Sequence, residues 1–168
     1  MSLTLDVGCG RRKRASIGID FSKDSDADVI ADAHHLPFKA GIFDKVISVT
    51  VLEHSPNPLL FLEEQYRILK PGGKIELVTD NASFYRWSIL RFKGIKHEDY
   101  HENHYMIFFP ENVQRLFRLA EFKVISMELI KRTRGKFDFL ISILVTIGLM
   151  KKESLYRRIK IVGEKGPE

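Results

Sequence analysis

The chain has 168 residues, the size of one ordinary domain, and its 44% hydrophobic and 29% charged residues exclude wholesale disorder. A single cysteine excludes a disulfide framework and a Cys-rich zinc module, and fits a reducing interior. Lys and Arg outnumber Asp and Glu by 27 to 22, a net charge of +5 that permits contact with nucleic acid or an anionic surface without arguing for either.

The first residues, Met1 to Gly10, contain no cationic leader before an apolar core, so no secretory signal is expected and the chain is read as cytoplasmic. Short Val- and Ile-rich runs then predict strands at Leu3–Val7, Ser16–Asp20, Asp28–Ala31, Lys45–Val51 and Lys74–Thr79. Between the last two, Pro58–Leu69 carries Leu59, Leu62, Tyr66 and Leu69 at helical spacing, with Glu63 and Arg67 as an i,i+4 pair. Lys70-Pro71-Gly72-Gly73 reads as the helix stop. A second helix is predicted over Pro110–Leu119, with Pro in its first turn. Two further strands follow at Phe122–Ile130 and Arg158–Gly163. The longest apolar run, Phe137–Met150, is shorter than the roughly 20 residues of a membrane span. It reads as a buried or partner-facing helix. The Lys151-Lys152 pair behind it also motivates peripheral membrane contact.

Continuous apolar strands alternating with helices imply an α/β doubly wound, Rossmann-like, mostly parallel seven-stranded sheet with an antiparallel C-terminal strand, in one domain. The first crossovers are short. Only Cys9 to Ala15 joins strands one and two, and Phe21 to Ala27 joins two and three. About seven extended residues reach ~25 Å, enough to return along a short strand but too few to hold a helix. One sheet face should therefore lack its early helices. An apolar cover is expected there, from Ser83–Phe92, from Phe137–Met150, or from a second subunit in a homodimer.

The chemistry concentrates in the first half. Leu5-Asp6-Val7-Gly8-Cys9-Gly10 is a strand running into a Gly-x-Gly turn, where backbone can approach a ligand closely. Ile17-Gly18-Ile19-Asp20 ends a second strand in a carboxylate placed to accept ribose hydroxyls, and Phe21 follows with a ring that can pack on a purine. Asp32 ends a third strand ahead of Ala33, His34, His35 and Leu36-Pro37-Phe38. Phe43-Asp44-Lys45-Val46 opens the fourth, which leads to Leu52-Glu53-His54.

Taken in order, these stretches and Leu69–Gly73 resemble the class I S-adenosylmethionine-dependent methyltransferases, in particular their compact small-molecule (type 11-like) group. The resemblance covers residues 3 to about 80, nearly half the chain. It implies S-adenosylmethionine as cofactor, with Gly8 and Gly10 at the methionine moiety and Asp6 near its ammonium. It further implies Asp20 on the ribose, Phe21 on the purine, Asp32 and Ala33 on the adenine, and Val49 and Thr50 near the methyl group. Each acid also has a plainer reading: Asp6 could orient the turn, and Asp20 or Asp32 could cap a loop.

The chain departs from that family in three places. Arg12 stands where a third glycine is usual, Arg11-Arg12-Lys13-Arg14 makes a basic turn, and no helix precedes the first strand. The basic turn reads as a solvated charge run or as an attractor of an anionic substrate. Methyl transfer needs orientation first, and a base only where the acceptor must lose a proton. His54, behind the fourth strand, is the first candidate base; His101, His104 and Tyr105 are weaker ones. No Asn or Asp precedes a Pro-Pro-Tyr after strand four, which argues against the amino-methylating nucleic-acid enzymes, and the resemblance to the compact group implies a small-molecule acceptor.

His97-Glu98-Asp99-Tyr100-His101 matches a zinc-protease pattern. Gly94 just ahead of it, with Asp99 inside and Asn103 just beyond, makes a poor helix, so no metal is assigned. A nicotinamide fingerprint fails because Lys13 stands at its third glycine and its acid is misplaced. The remaining alternative is a non-catalytic S-adenosylmethionine-binding or partner subunit.

Overall fold

The computed structural model describes residues 2–87, 104–131 and 138–167. Among the described residues the main elements follow in the order β1 (Thr4–Val7), β2 (Ile17–Asp20), β3 (Val29–Ile30), β4 (Phe43–Val49), α1 (Pro58–Ile68), β5 (Leu69–Asp80), α2 (Pro110–Leu119), β6 (Lys123–Lys131), α3 (Asp138–Thr146) and β7 (Tyr156–Glu164). The strands form one sheet in the order β3-β2-β1-β4-β5-β7-β6. The first five run parallel, and β7 lies antiparallel to both β5 and β6. This is the expected doubly wound architecture with its reversed C-terminal strand.

The short crossovers hold no helix: residues 10–16 and 21–27 are turns and bends. Polar clamps replace the missing helices. Asp6 Oδ2 accepts from Arg14 N at 2.7 Å. Asp20 Oδ2 accepts from Gly10 N at 2.8 Å. Asp28 Oδ2 accepts from Gly18 N at 2.7 Å, while Lys13 Nζ reaches both of its oxygens at 2.9 Å. Two members of the basic turn, Lys13 and Arg14, are thus spent on tying the loop to neighbouring strands.

Strand alternation divides the sheet into unlike faces. Leu5, Val7, Val46, Ile75, Leu77, Ile159 and Ile161 point one way and are fully buried. They meet Phe61, Leu62 and Ile68 of α1, and Val113 and Phe117 of α2. Asn57 caps α1 by accepting from Leu60 N, with Pro58 in the first turn. The opposite face carries a charged row: Glu76 bridges Lys45 at 2.8 Å and Lys160 at 2.9 Å. Strand β5 reads as a buried run, yet Glu76 and its two lysines place a polar row on that face, beside half-buried Ile47 and buried Val78. The described parts of the two candidate covers pack on each other. Phe84 and Tyr85 meet Ile141 of α3 in a second apolar cluster, and Tyr85 Oη donates to Asp138 Oδ1 at 3.0 Å.

Two further expectations change. Lys70-Pro71-Gly72-Gly73 does not sit outside the sheet, because the chain is already extended at Leu69, which pairs with Phe43. The partner of Arg67 is Glu64, not Glu63. Arg67 turns toward the loop after β3, donating to the Phe38 carbonyl at 2.8 Å and the Leu36 carbonyl at 3.0 Å. Glu64 lies on that side, taking Arg67 Nε at 2.6 Å and Leu36 N at 2.8 Å. The hydrogen bonds from Arg67 hold the Glu64 carboxyl below its ordinary value of 4.5. A carboxylate lowered on folding adds stability above its unfolded value, lost as pH falls. Glu64→Gln should therefore cost about 1–2 kcal/mol at pH 7. The deficit should shrink below about pH 4.5, as read by urea unfolding across pH.

Candidate functional site

The carboxyl ends of β1, β2 and β4 open into a cleft of about 760 Å³. This lies in the ~300–1,000 Å³ range of small-molecule sites and at the edge where parallel α/β sheets bind ligands. Its wall includes Gly8, Ile19, Asp20, Phe21, Ala31, Asp32, Ala33 and His34 from the first three strands and their loops. Thr50, Val51, His54, Ser55 and Pro56 come from the segment after β4, joined by Phe61 of α1 and Tyr105.

Gly8 sits at φ +70°, and a Cβ there would fall 2.3 Å from Val51 Cγ2. Conformation and space both require glycine, and the bare backbone becomes cleft wall. Asp20 ends β2 with each oxygen taking one backbone N–H, Gly10 N on Oδ2 and Ser22 N at 2.9 Å on Oδ1. Each oxygen keeps a lone pair toward a diol. Phe21 beside it is 84% exposed, an aromatic face with no protein neighbour to explain its exposure.

Asp32 is held in place by its own loop. Oδ1 accepts from His34 N at 2.9 Å and faces His34 Nδ1 at 2.7 Å. The backbone hydrogen bond from His34 keeps the Asp32 carboxyl below its ordinary value, against desolvation. His34 Nε2 in turn lies 2.7 Å from Ser55 Oγ. With Nδ1–H donating to the acid, Nε2 accepts the serine proton, and a relay crosses the cleft from Asp32 to Ser55. The sequence reading quoted His34 but assigned it no role. The spacing Asp-x-His was the available signal, since a carboxylate reaches the residue two positions on in a local turn.

Three expected residues stand behind the wall rather than in it. Gly10 donates to Asp20. Val49 offers its carbonyl to Thr50 Oγ1 at 2.7 Å. Asp6 is fully buried and holds Arg14, while its Oδ1 has no protein partner. Burial raises the Asp6 carboxyl above its ordinary value even though Arg14 opposes this. Thr50 adopts φ +57°, a left-handed conformation rare for a β-branched residue, at the point where β4 turns into the cleft.

His54 lies on the rim, its ring edge-on to His104 at 4.5 Å. Behind them, one ligand atom each of Glu53, Asp80 and His104 lies within 4.8 Å of the others. Two carboxylates and an imidazole are donors a divalent transition ion accepts. The protein answers part of that charge itself. Thr79 Oγ1 donates to Glu53 Oε2 at 2.8 Å, and Arg158 Nε stands 3.5 Å from Asp80 Oδ1. Tyr105 N donates to the Glu53 carbonyl at 2.9 Å, which brings Tyr105 to the cleft. His97 through His101 lie outside the described residues.

S-adenosylmethionine is the group this arrangement fits. The Gly8 backbone leaves room for a close approach, and Asp20 suits a diol. Exposed Phe21 and ordered Asp32 suit a purine with an exocyclic amine.

Comparison with known proteins agrees. Residues 5–77 match the family model described as a methyltransferase domain. An uncharacterized protein of Methanocaldococcus jannaschii is 38% identical over 94 residues, 49% of this chain and 46% of that protein. A ubiquinone biosynthesis O-methyltransferase of Xanthomonas oryzae is 36% identical over 69 residues, 41% of this chain and 26% of that protein. These matches take in less than half the length of either relative. A solved S-adenosylmethionine-dependent methyltransferase of Archaeoglobus fulgidus superposes with a TM-score of 0.70 at 19% identity, covering 98% of this chain and 86% of that one.

Two outcomes follow for the site. Burial raises the Glu53 carboxyl above 4.5, against its backbone and Thr79 hydrogen bonds. An acid raised on folding favours the native state below its unfolded value, and that advantage is lost as pH rises through the folded one. Glu53→Gln should therefore match the parent near pH 4.5 and exceed it at pH 8 by about 1 kcal/mol, read as melting temperature against pH. Gly8→Ala should cost about 2 kcal/mol or more. Adding Val51→Ala should destabilise by less than the sum of the two single changes, because it returns the space though not the φ, as a double-mutant cycle in urea would show.

Proposed function

We propose that this chain, whose residues 5–77 match a methyltransferase-domain model, is an S-adenosylmethionine-dependent methyltransferase that transfers a methyl group to a small-molecule acceptor in the cleft after β4. The carrying observation is the convergence of Gly8, Asp20, Phe21 and Asp32 on one cleft whose remaining wall is formed by Thr50, His54, Ser55 and Tyr105.

The bound cofactor supplies an electrophilic methyl on a sulfonium, already a good leaving group. The protein has to fix direction and exclude water. Asp20 accepts the ribose hydroxyls while Gly10 and Ser22 N–H hold its carboxylate rigid. Asp32, kept ionised and fixed by His34, accepts the adenine amine beside the Ala33 backbone, and Phe21 closes over the ring. Gly8 backs the methionine end, and Asp6 behind the wall holds the turn through Arg14. Val49 and Thr50 position the end of β4 at the reacting side, the strained Thr50 backbone turning the following residues into the cleft.

The acceptor then enters between His54, Ser55 and Tyr105. His54 takes the proton of an acceptor hydroxyl as it attacks, with the His104 ring packed edge-on behind it. A phenolic or quinol hydroxyl suits this wall, which offers the His54 imidazole among hydroxyls and apolar carbons. The ubiquinone-pathway relative supports that class.

The test is calorimetric titration with S-adenosylhomocysteine, followed by methyl transfer to a panel of phenols and quinols. Asp20→Asn should weaken binding about 10- to 100-fold, the loss of one charge-assisted pair of hydrogen bonds, and should also lower the melting temperature, because the amide turns an N–H toward one of the two backbone donors that Asp20 accepts. His54→Gln should leave binding intact and lower turnover about 100-fold. A folded parent that binds no S-adenosylhomocysteine would overturn the reading. Binding without turnover on any acceptor would point to the non-catalytic alternative.

A further inference from the structure

Helix α3 is apolar on every side, and only one side is covered. Ile141, Leu144 and Val145 face Phe84 and Tyr85 in the second cluster. Phe139, Leu140 and Ile143 of α3, with Ile147 and Leu149 just beyond it, are between 42% and 79% exposed. Single exposed hydrophobes are ordinary, but a contiguous set on one helix face is not.

The polar side chains of the helix are bonded within it or to Tyr85, exposed Thr146 included. Ser142 Oγ donates to the Asp138 carbonyl at 2.7 Å, Thr146 Oγ1 to the Ser142 carbonyl at 2.8 Å, and Asp138 accepts from Tyr85. The outer surface thus offers carbon and little that a specific polar partner could read. Cations flank it in the sequence, with Lys131, Arg132, Arg134 and Lys136 before and Lys151 and Lys152 after. Lys131, Lys151 and Lys152 are exposed.

We propose that this face docks on an anionic lipid surface, α3 lying in the plane of the interface with Phe139, Ile143, Ile147 and Leu149 among the acyl chains and the lysines at the headgroups. No helix among the described residues is long and apolar enough to cross a membrane. A helix of 9 residues spans about 14 Å against a hydrocarbon core of ~30 Å, so it lies flat rather than spanning. Charge complementarity selects this occupant. Lysines beside an apolar face are attracted by anionic headgroups, whereas a second copy docked through the same face would bring like charges toward each other. Attachment here stands independently of the methyl-transfer reading.

Flotation with vesicles of mixed phosphatidylglycerol and phosphatidylcholine, against phosphatidylcholine alone, tests it. The parent should partition at least about tenfold more strongly to the anionic vesicles. Phe139→Ser with Leu149→Ser, both largely exposed positions, should lower that partition about tenfold or more, and Lys151→Glu with Lys152→Glu should do the same. Melting temperature and S-adenosylhomocysteine titration on the same samples report folding and the cleft separately, so a failed cleft cannot pass for a failed surface. Three outcomes would overturn the proposal: no flotation of the folded parent, flotation indifferent to both variant pairs, or a dimer in sedimentation that the serine pair dissolves while vesicle binding is absent.

Discussion

The hydrogen bond from Gly10 N to Asp20 Oδ2 is the constraint on which the cofactor half of this molecule depends. A parallel sheet normally fixes the distance between two strand ends with a helix laid across one face. Here the first two crossovers are too short for one. The turn after β1 and the tip of β2 are joined by a carboxylate instead. Asp6 on Arg14 and Asp28 on Gly18 and Lys13 repeat the device on either side. Each clamp satisfies backbone donors that a helix would have satisfied internally. Asp20 serves twice: the oxygens that hold the turn are those that face the cleft. Scaffold and binding group are thereby one residue, so the rigidity of the first fixes the aim of the second.

The loss of the early helices goes with a polar row on the opposite sheet face, Lys45–Glu76–Lys160, beside half-buried Ile47 and buried Val78. Those lysines hold the Glu76 carboxyl below its ordinary value, Lys45 first. The pairs are half exposed and contribute modestly to stability. Their larger consequence is to fix which side of β5 faces the helices, since a one-residue slip would drive Glu76 into Phe61 and Phe117 territory.

Much of this was legible in the sequence because the decisive signals are local. The strands lie within a few residues of their predicted bounds, and α2 keeps the predicted Pro110–Leu119. The short crossovers could be recognised from chain length alone. What escaped were choices made between elements. The helix-periodic pattern cannot say that Arg67 would abandon the spacing-favoured Glu63, because the deciding carbonyls of Leu36 and Phe38 belong to a distant loop. The same holds for the stop at Lys70-Pro71-Gly72-Gly73, where Leu69 is claimed by Phe43 across the sheet. In the site, Gly8, Asp20, Phe21, Asp32, Ala33, Thr50 and His54 were foreseen and meet in one cleft. Val51, Ser55 and Phe61 were not, since an apolar or hydroxyl side chain carries no chemical signature until a fold places it.

The strand that organises the substrate side is β5. Parallel to β4, it ends at the same edge as the cleft, and its last residues point two ways. Thr79 and Asp80 reach back to the buried Glu53 and His104 behind His54. Immediately beyond, Asn81 donates from its side chain to the Glu153 and Tyr156 carbonyls, and Phe84 and Tyr85 form the seat of α3. The His54 rim of the cleft and the apolar helix thus hang from one strand terminus through contacts only a few residues apart. The residues after β5 join the rim of the cleft to the seat of α3, while Asp6, Asp20 and Asp28 tie the turns on the other side of β4 with their own carboxylates.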